Sequence, residues 1–149
     1  HSYEMTCLHL AGLNVGAQKL INDSLKHVMK NIQTYKPNTM CLVPLFVETM
    51  HKKVWDEIKK QGKTKAVRFL MKVDTVLLAL GIDMRKAFFG KIASAFGGNL
   101  TSIICGGAPL SPELVKDFYH FGITIIEGYG ITECSPLVAV NRPNNIRSF

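Results

Sequence analysis

Residues 100–133 read Leu100-Thr-Ser-Ile-Ile-Cys-Gly-Gly-Ala-Pro-Leu-Ser-Pro-Glu-Leu-Val-Lys-Asp-Phe-Tyr-His-Phe-Gly-Ile-Thr-Ile-Ile-Glu-Gly-Tyr-Gly-Ile-Thr-Glu133. Leu100 to Cys105 is a short apolar strand candidate, and Ile123 to Ile126 is a β-branched one. Each runs into a glycine cluster, Gly106-Gly107 in the first case and Gly128-Tyr129-Gly130 in the second. Between them Ser111 suits an N-cap, Pro112 the first helical position and Glu113 the positive end of the helix dipole. Leu114, Val115, Phe118 and Phe121 give that helix one apolar face, and Gly122 ends it. The result is a β-α-β unit whose two loops emerge at one sheet edge, where open α/β sheets bind ligands.

The second loop carries chemistry. Its glycines let the backbone approach a ligand closely. Tyr129 offers a flat ring, Thr132 a hydroxyl and Glu133 a hard carboxylate suited to Mg²⁺. Singly, these residues read as a packed tyrosine, a turn former and a solvated charge. Clustered at a strand end, they are what a nucleotide site needs.

Outward from this unit, apolar residues recur at helical spacing. Residues from Tyr3 to about Leu13 read as helical, and Val15 to Ile21 as a short strand. Asn22-Asp23-Ser24 caps a helix with Leu25, Val28, Met29, Ile32 and Tyr35 on one side, and Lys36-Pro37-Asn38 breaks it. A buried strand is expected over Thr39 to Val43. A helix follows from about Leu45 to Lys60, with Phe46, Met50, Val54 and Ile58 one turn apart. Two more helices are expected at 64–81 and 83–96. The first is unusually apolar, from Val67 through Phe69 to Leu80, and burial in the core, or against parts of the domain outside these residues, is the expectation for it. The second is capped by Asp83 and lined by Phe88, Ile92 and Phe96. Helices alternating with short buried strands make the fold class α/β: a three-layer unit with a mainly parallel sheet.

Bulk properties narrow the function. The chain has 149 residues, is 47% hydrophobic and 19% charged, and carries a net charge of +7, which suits one packed domain or part of one. Its basic residues concentrate only at Lys52-Lys53, Lys59-Lys60 and Lys63-Lys65-Arg68, without aromatic interleaving, so nucleic acid is not an expected partner. They read as solvated helical faces, or as attraction for anionic substrates. Cys7, Cys41, Cys105 and Cys134 lack zinc-like spacing and read as reduced thiols. His9, His27, His51 and His120 show no carboxylate-linked pattern and default to packing or surface roles. With no signal peptide and no apolar run of membrane-spanning length, a cytoplasmic location is expected. The 64–81 helix leaves a peripheral membrane contact or self-association open.

Gly-Gly-Ala-Pro-Leu-Ser, a helix, and then Gly-Tyr-Gly-x-Thr-Glu resembles the adenylate-forming superfamily of acyl-CoA synthetases, luciferases and peptide-synthetase adenylation domains. His1-Ser2-Tyr3-Glu4 is similar to a segment that long-chain fatty acyl-CoA ligases carry before this region, and Tyr35-Lys-Pro37 leading to Val43-Pro44 also fits the pattern. The resemblance covers essentially the whole chain. No Ser/Thr/Gly-rich phosphate loop ending in Pro-Lys-Gly appears in it, nor a Thr-Gly-Asp segment. The expectation is therefore a partial AMP-binding domain over 1–149, lacking the phosphate loop and the C-terminal domain, and inactive by itself.

The resemblance implies an enzyme that uses ATP and Mg²⁺ to convert a carboxylic acid, most like a long-chain fatty acid, into an acyl-adenylate. It then passes the acyl group to coenzyme A. Thr132 would meet the α-phosphate and Glu133 would hold Mg²⁺. Gly128, Tyr129 and Gly130 would border the nucleotide, with Tyr129 stacked on adenine and Gly107-Ala108-Pro109 as the other wall. The acyl group would lie beside Gly106 and Gly130, with His1 and Tyr3 opposite. The alternatives are an amino-acid or aryl-acid adenylation domain, and a non-catalytic flavodoxin-like binding domain.

Overall fold

The computed structural model describes residues 2–22, 24–134 and 137–141. In chain order it comprises α1 (Ser2–Glu4), a π-helical stretch (Met5–Leu10), α2 (Ala11–Asn14), a 3-10 turn (Leu25–His27), α3 (Val28–Tyr35) and β1 (Thr39–Leu42). There follow α4 (Pro44–Lys60), α5 (Thr64–Ala79), α6 (Arg85–Ala95), β2 (Ser102–Gly106), α7 (Pro112–His120), β3 (Thr124–Gly130), a second 3-10 turn (Thr132–Cys134) and β4 (Leu137–Val140). The sheet order is β1-β2-β3-β4, the first three strands parallel and β4 antiparallel to β3. The expected α/β class with a mostly parallel sheet is therefore the fold.

Local chemistry sets the boundaries. Val43 and Ser111 are extended, and the proline after each opens a helix where its missing N–H costs nothing. Gly122, at φ 82, takes the left-handed position after α7 that a side chain would oppose. Ser111 makes no side-chain cap bond, whereas Ser24 accepts one from the Lys26 N–H at 3.4 Å.

The sheet's two faces differ. Ile103, Cys105, Ile123 and Ile125 point into the main core, where Phe89, Phe96, Phe118 and Phe121 are buried together. Ring centroids there lie 5.8 Å apart for Phe96–Phe118 and 5.9 Å for Phe89–Phe121. The other face, with Cys41, Ile104 and Gly106, is covered near its carboxyl edge by the N-terminal helical segment. The ring of Tyr3 reaches Gly106 there. That segment supplies the third layer.

Several expectations change. Val15 to Ile21 forms no strand: Gly16 turns the chain at φ 67, and Val15 and Ile21 are exposed with no strand beside them to pair with. β3 does not stop at Ile126 but runs through the glycine motif, because β4, which was not expected, pairs with Gly128, Tyr129 and Gly130. Met84, not Asp83, precedes α6, though Asp83 Oδ1 still accepts from the Arg85 N–H at 3.1 Å. On α4 the buried residues are Pro44, Val47, Met50, Trp55 and Ile58, with Phe46 and Val54 half-buried. On α5 only Val67, Met71 and Asp74 are buried, while Phe69 (66%), Val76 (60%) and Leu80 (68%) are exposed. One helix stripe is all that α4 and α7 can cover, so its surplus apolar residues face outward.

Candidate active site

Parallel pairing puts both glycine motifs in register: Gly106 stands opposite Gly128 at the carboxyl edge of β2 and β3. Both positions leave little room for a side chain. A Cβ on Gly106 would lie 3.1 Å from the Gly128 carbonyl oxygen and 3.4 Å from Tyr3 Cε2. One on Gly128 would lie 3.0 Å from Leu137 Cδ1. The space that Gly106 leaves is thus already lined by Tyr3, which was expected to border the acyl site. Gly107 is different. It is exposed, sits at φ 102, and has nothing within 4 Å of a built Cβ, so its backbone is bare to an approaching ligand.

Ala108 and Pro109 are exposed beside Gly107. Alternation along β3 puts Tyr129 on the face of Ile125 and Glu127, the face to which the chain turns after Gly107 on its way into α7. The Tyr129 ring is 57% exposed, as stacking on a planar group requires. Thr132 and Glu133 follow in the exposed 3-10 turn. Tyr129, Thr132 and Glu133 therefore sit within one strand end and one turn, opposite the Gly107–Pro109 loop. His1 lies outside the described residues. Among those described, no group of three or more His, Cys, Asp and Glu side chains is gathered to hold a metal. A single exposed carboxylate at Glu133 nevertheless fits Mg²⁺, which takes one or two protein carboxylates and leaves the rest to phosphate and water.

One residue of the candidate site escaped the sequence reading. Glu127 is 5% exposed; its Oε1 accepts from the Leu110 N–H at 3.3 Å, and its Oε2 is buried without a partner. It ties the end of the Gly107–Pro109 loop to the residue before Gly128. The available signal was a lone acid closing the run Ile-Thr-Ile-Ile. Its charge has a local effect: burial, with Glu127 and then Glu48 adding to it, pushes the Cys105 thiol up to about 12. Burial first, and Cys7 and Glu4 after it, push Cys41 up to about 11. Both thiols are protonated and unreactive at neutral pH. The Tyr3 hydroxyl, buried beside Cys41, is raised above the ordinary tyrosine range, mainly by burial.

The family model described as AMP-binding enzyme matches residues 1–148. The chain belongs to the AMP-binding enzyme family. This removes the stand-alone flavodoxin-like alternative. Among its relatives, the long-chain-fatty-acid–CoA ligase FadD15 of Mycobacterium bovis is 26% identical over 136 residues, covering 83% of this chain and 23% of its own. Long-chain-fatty-acid–CoA ligase 5 of Rattus norvegicus is 27% identical over 150 residues, covering 94% and 20%. The fold is shared with the A domain of a carboxylic acid reductase from Segniliparus rugosus, solved with AMP and a co-purified carboxylic acid. There the TM-score is 0.57 at 21% identity, covering 83% of this chain and 17% of that one. The chain thus spans about a fifth of the length of the proteins it matches.

Proposed function

We propose that the protein activates a carboxylic acid, of the long-chain fatty class, with ATP and transfers the acyl group to coenzyme A. The supporting observation is the in-register pairing of Gly106 with Gly128, which gathers both family loops at one sheet edge. The acid's class is read from the fatty acyl-CoA ligases among the relatives.

The first step brings two anions together. A carboxylate oxygen attacks the α-phosphorus of ATP, the bond to the β,γ-diphosphate breaks, and acyl-adenylate and pyrophosphate result. The chain must position the reactants and offset their repulsion. The Thr132 hydroxyl donates a hydrogen bond to the α-phosphate as charge builds there. Tyr129 stacks on adenine against the Gly107-Ala108-Pro109 wall, a contact worth about 1–3 kcal/mol. Glu127 fixes that wall through Leu110 and sets the spacing of the slot. Glu133 would hold Mg²⁺, which supplies charge neutralisation on the polyphosphate. In the second step the coenzyme A thiolate attacks the acyl carbonyl, the acyl–phosphate bond breaks and AMP leaves. The acyl chain runs past Gly130 and Tyr3, with His1 in the same segment.

Pyrophosphate release by the full-length protein, measured across fatty, aromatic and amino acids, tests this reading. Release with palmitate well above that with benzoate or phenylalanine is expected. Preference for an aromatic or amino acid would replace the fatty-acid assignment and keep the adenylation.

A further inference from the structure

α7 begins beside the glycine loops at Pro112 and ends with His120 at the opposite, amino edge of the sheet, just before β3 starts. There α5 and α7 enclose an open cleft of about 380 Å³ lined by Arg68, Met71, Lys72, Thr75 and His120. Two of its polar side chains are held in place. Arg68 lies over the ring of Trp55, 5.1 Å from its centroid. Trp55 is in turn fixed by donating its indole N–H to Asp117 Oδ2 at 2.8 Å. His120 Nδ1 is 2.6 Å from Asp74 Oδ2. Asp74 is fully buried, and its Oδ1 has no partner.

A buried carboxylate with an unmet oxygen is costly, so a fold that retains one here is holding the imidazole in one orientation for a reason. With Nδ1 committed to Asp74, Nε2 is the ring nitrogen left for the cleft. Among the described residues neither Arg68 nor Lys72 has a carboxylate within ion-pair distance. The charged and titratable groups around His120 are Asp74, Arg68 and Lys72 from α5, its neighbour Tyr119, and Arg85. The Arg85 guanidinium lies over Tyr119 and feels the charge of Asp74.

We propose that this cleft is a second anion site, built for a phosphate monoester and separate from the glycine loops. The charges match that class. With Nδ1 tied to Asp74 and Nε2 open to the ligand, the two permanent cations of Arg68 and Lys72 are there to meet a charge near −2. Arg68, already seated over the Trp55 ring, carries the fork that suits phosphate oxygens. Met71 supplies an apolar floor for the ester's first carbons.

Calorimetric titration of the full-length protein with inorganic phosphate tests the site. Lys72→Gln is expected to weaken binding about tenfold, and the Arg68→Gln/Lys72→Gln pair to abolish it, on the scale of charge-assisted hydrogen bonds. Both side chains are exposed, so the fold should survive, and circular dichroism checks this. Thr132→Val should leave phosphate binding unchanged. Sedimentation with phosphatidylcholine vesicles, with and without phosphatidic acid, separates the two sources of such a group. Binding only to the acidic vesicles, lost in the double variant, identifies a lipid headgroup; phosphate binding without vesicle binding identifies a soluble ester. No phosphate binding at millimolar concentration, or binding lost in Thr132→Val and kept in the double variant, would overturn the proposal.

Discussion

The two edges of the sheet are organised in opposite ways. At the carboxyl edge, Gly107, Tyr129, Thr132 and Glu133 are exposed, and the buried side chain of Glu127 ties one loop to the other. At the far side of the helical layer, polar groups are pinned. His51 and Trp55 of α4 both meet Asp117 of α7 at 2.8 Å, and His120 meets Asp74 at 2.6 Å. The edge with the recognisable motif leaves its chemistry exposed to an approaching ligand. The pinned edge has no motif, and its geometry is already set without a ligand. Exposed groups at a ligand edge are free to meet a ligand, while hydrogen-bonded pairs between helices fix the scaffold that carries them.

If that contrast is right, a change at the open edge should cost rate and a change at the pinned edge should cost stability. The largest effect is expected from Glu133→Gln, which keeps shape and removes charge. Adenylation, followed as pyrophosphate release by the full-length protein, should fall about 10²–10³-fold with the melting temperature unchanged. Wild-type turnover at ordinary Mg²⁺ would remove the metal role from Glu133. Asp74→Ala leaves His120 without its buried partner and opens a void, and should cost about 3–5 kcal/mol in urea unfolding. A neutral result there would mean that the pinned edge is not holding the helices together.

Glu127→Ala crosses the two categories and so sharpens the comparison. It frees the Leu110 N–H and loosens one wall of the slot, so a stability loss of about 1–3 kcal/mol should come with a raised KM for ATP. The KM for the acid should be little changed. Equal rises in both would show that Glu127 acts on the fold alone.

The smallest effect concerns Asp83. Its hydrogen bonds from the Arg85 guanidinium, and then from the Arg85 N–H, hold it down from 3.8 to about 2. A carboxylate with a depressed folded pKa stabilises the fold above its unfolded value, and that contribution is lost as pH falls through the folded one. Asp83→Asn should therefore lower the melting temperature slightly at neutral pH. The gap should close between pH 3.8 and about 2, and it should shrink in salt because Asp83 is exposed.

What the chain alone determined is what depends on neighbours in sequence. The β-α-β unit, the proline-opened α4 and α7, the break at Lys36-Pro37 and the helical spans of α5 and α6 all follow from local propensity and from periodicity over a few turns. The two glycine loops were legible for the same reason, since a motif is a run of adjacent residues. Tertiary structure alone decided the rest. β4 and the extension of β3 to Gly130 exist because two strands found each other across a turn. The outward stripe of Phe69, Val76 and Leu80 reflects how much of α5 its neighbours can cover. His51 and His120 showed no carboxylate pattern, because their partners lie 66 and 46 residues away and meet them only when α4, α5 and α7 pack together. A hydrogen bond acts over about 3 Å of space and is indifferent to distance along the chain. The same reason hid Glu127: nothing in Ile-Thr-Ile-Ile-Glu says that Leu110, seventeen residues earlier, will bring its N–H to that carboxylate.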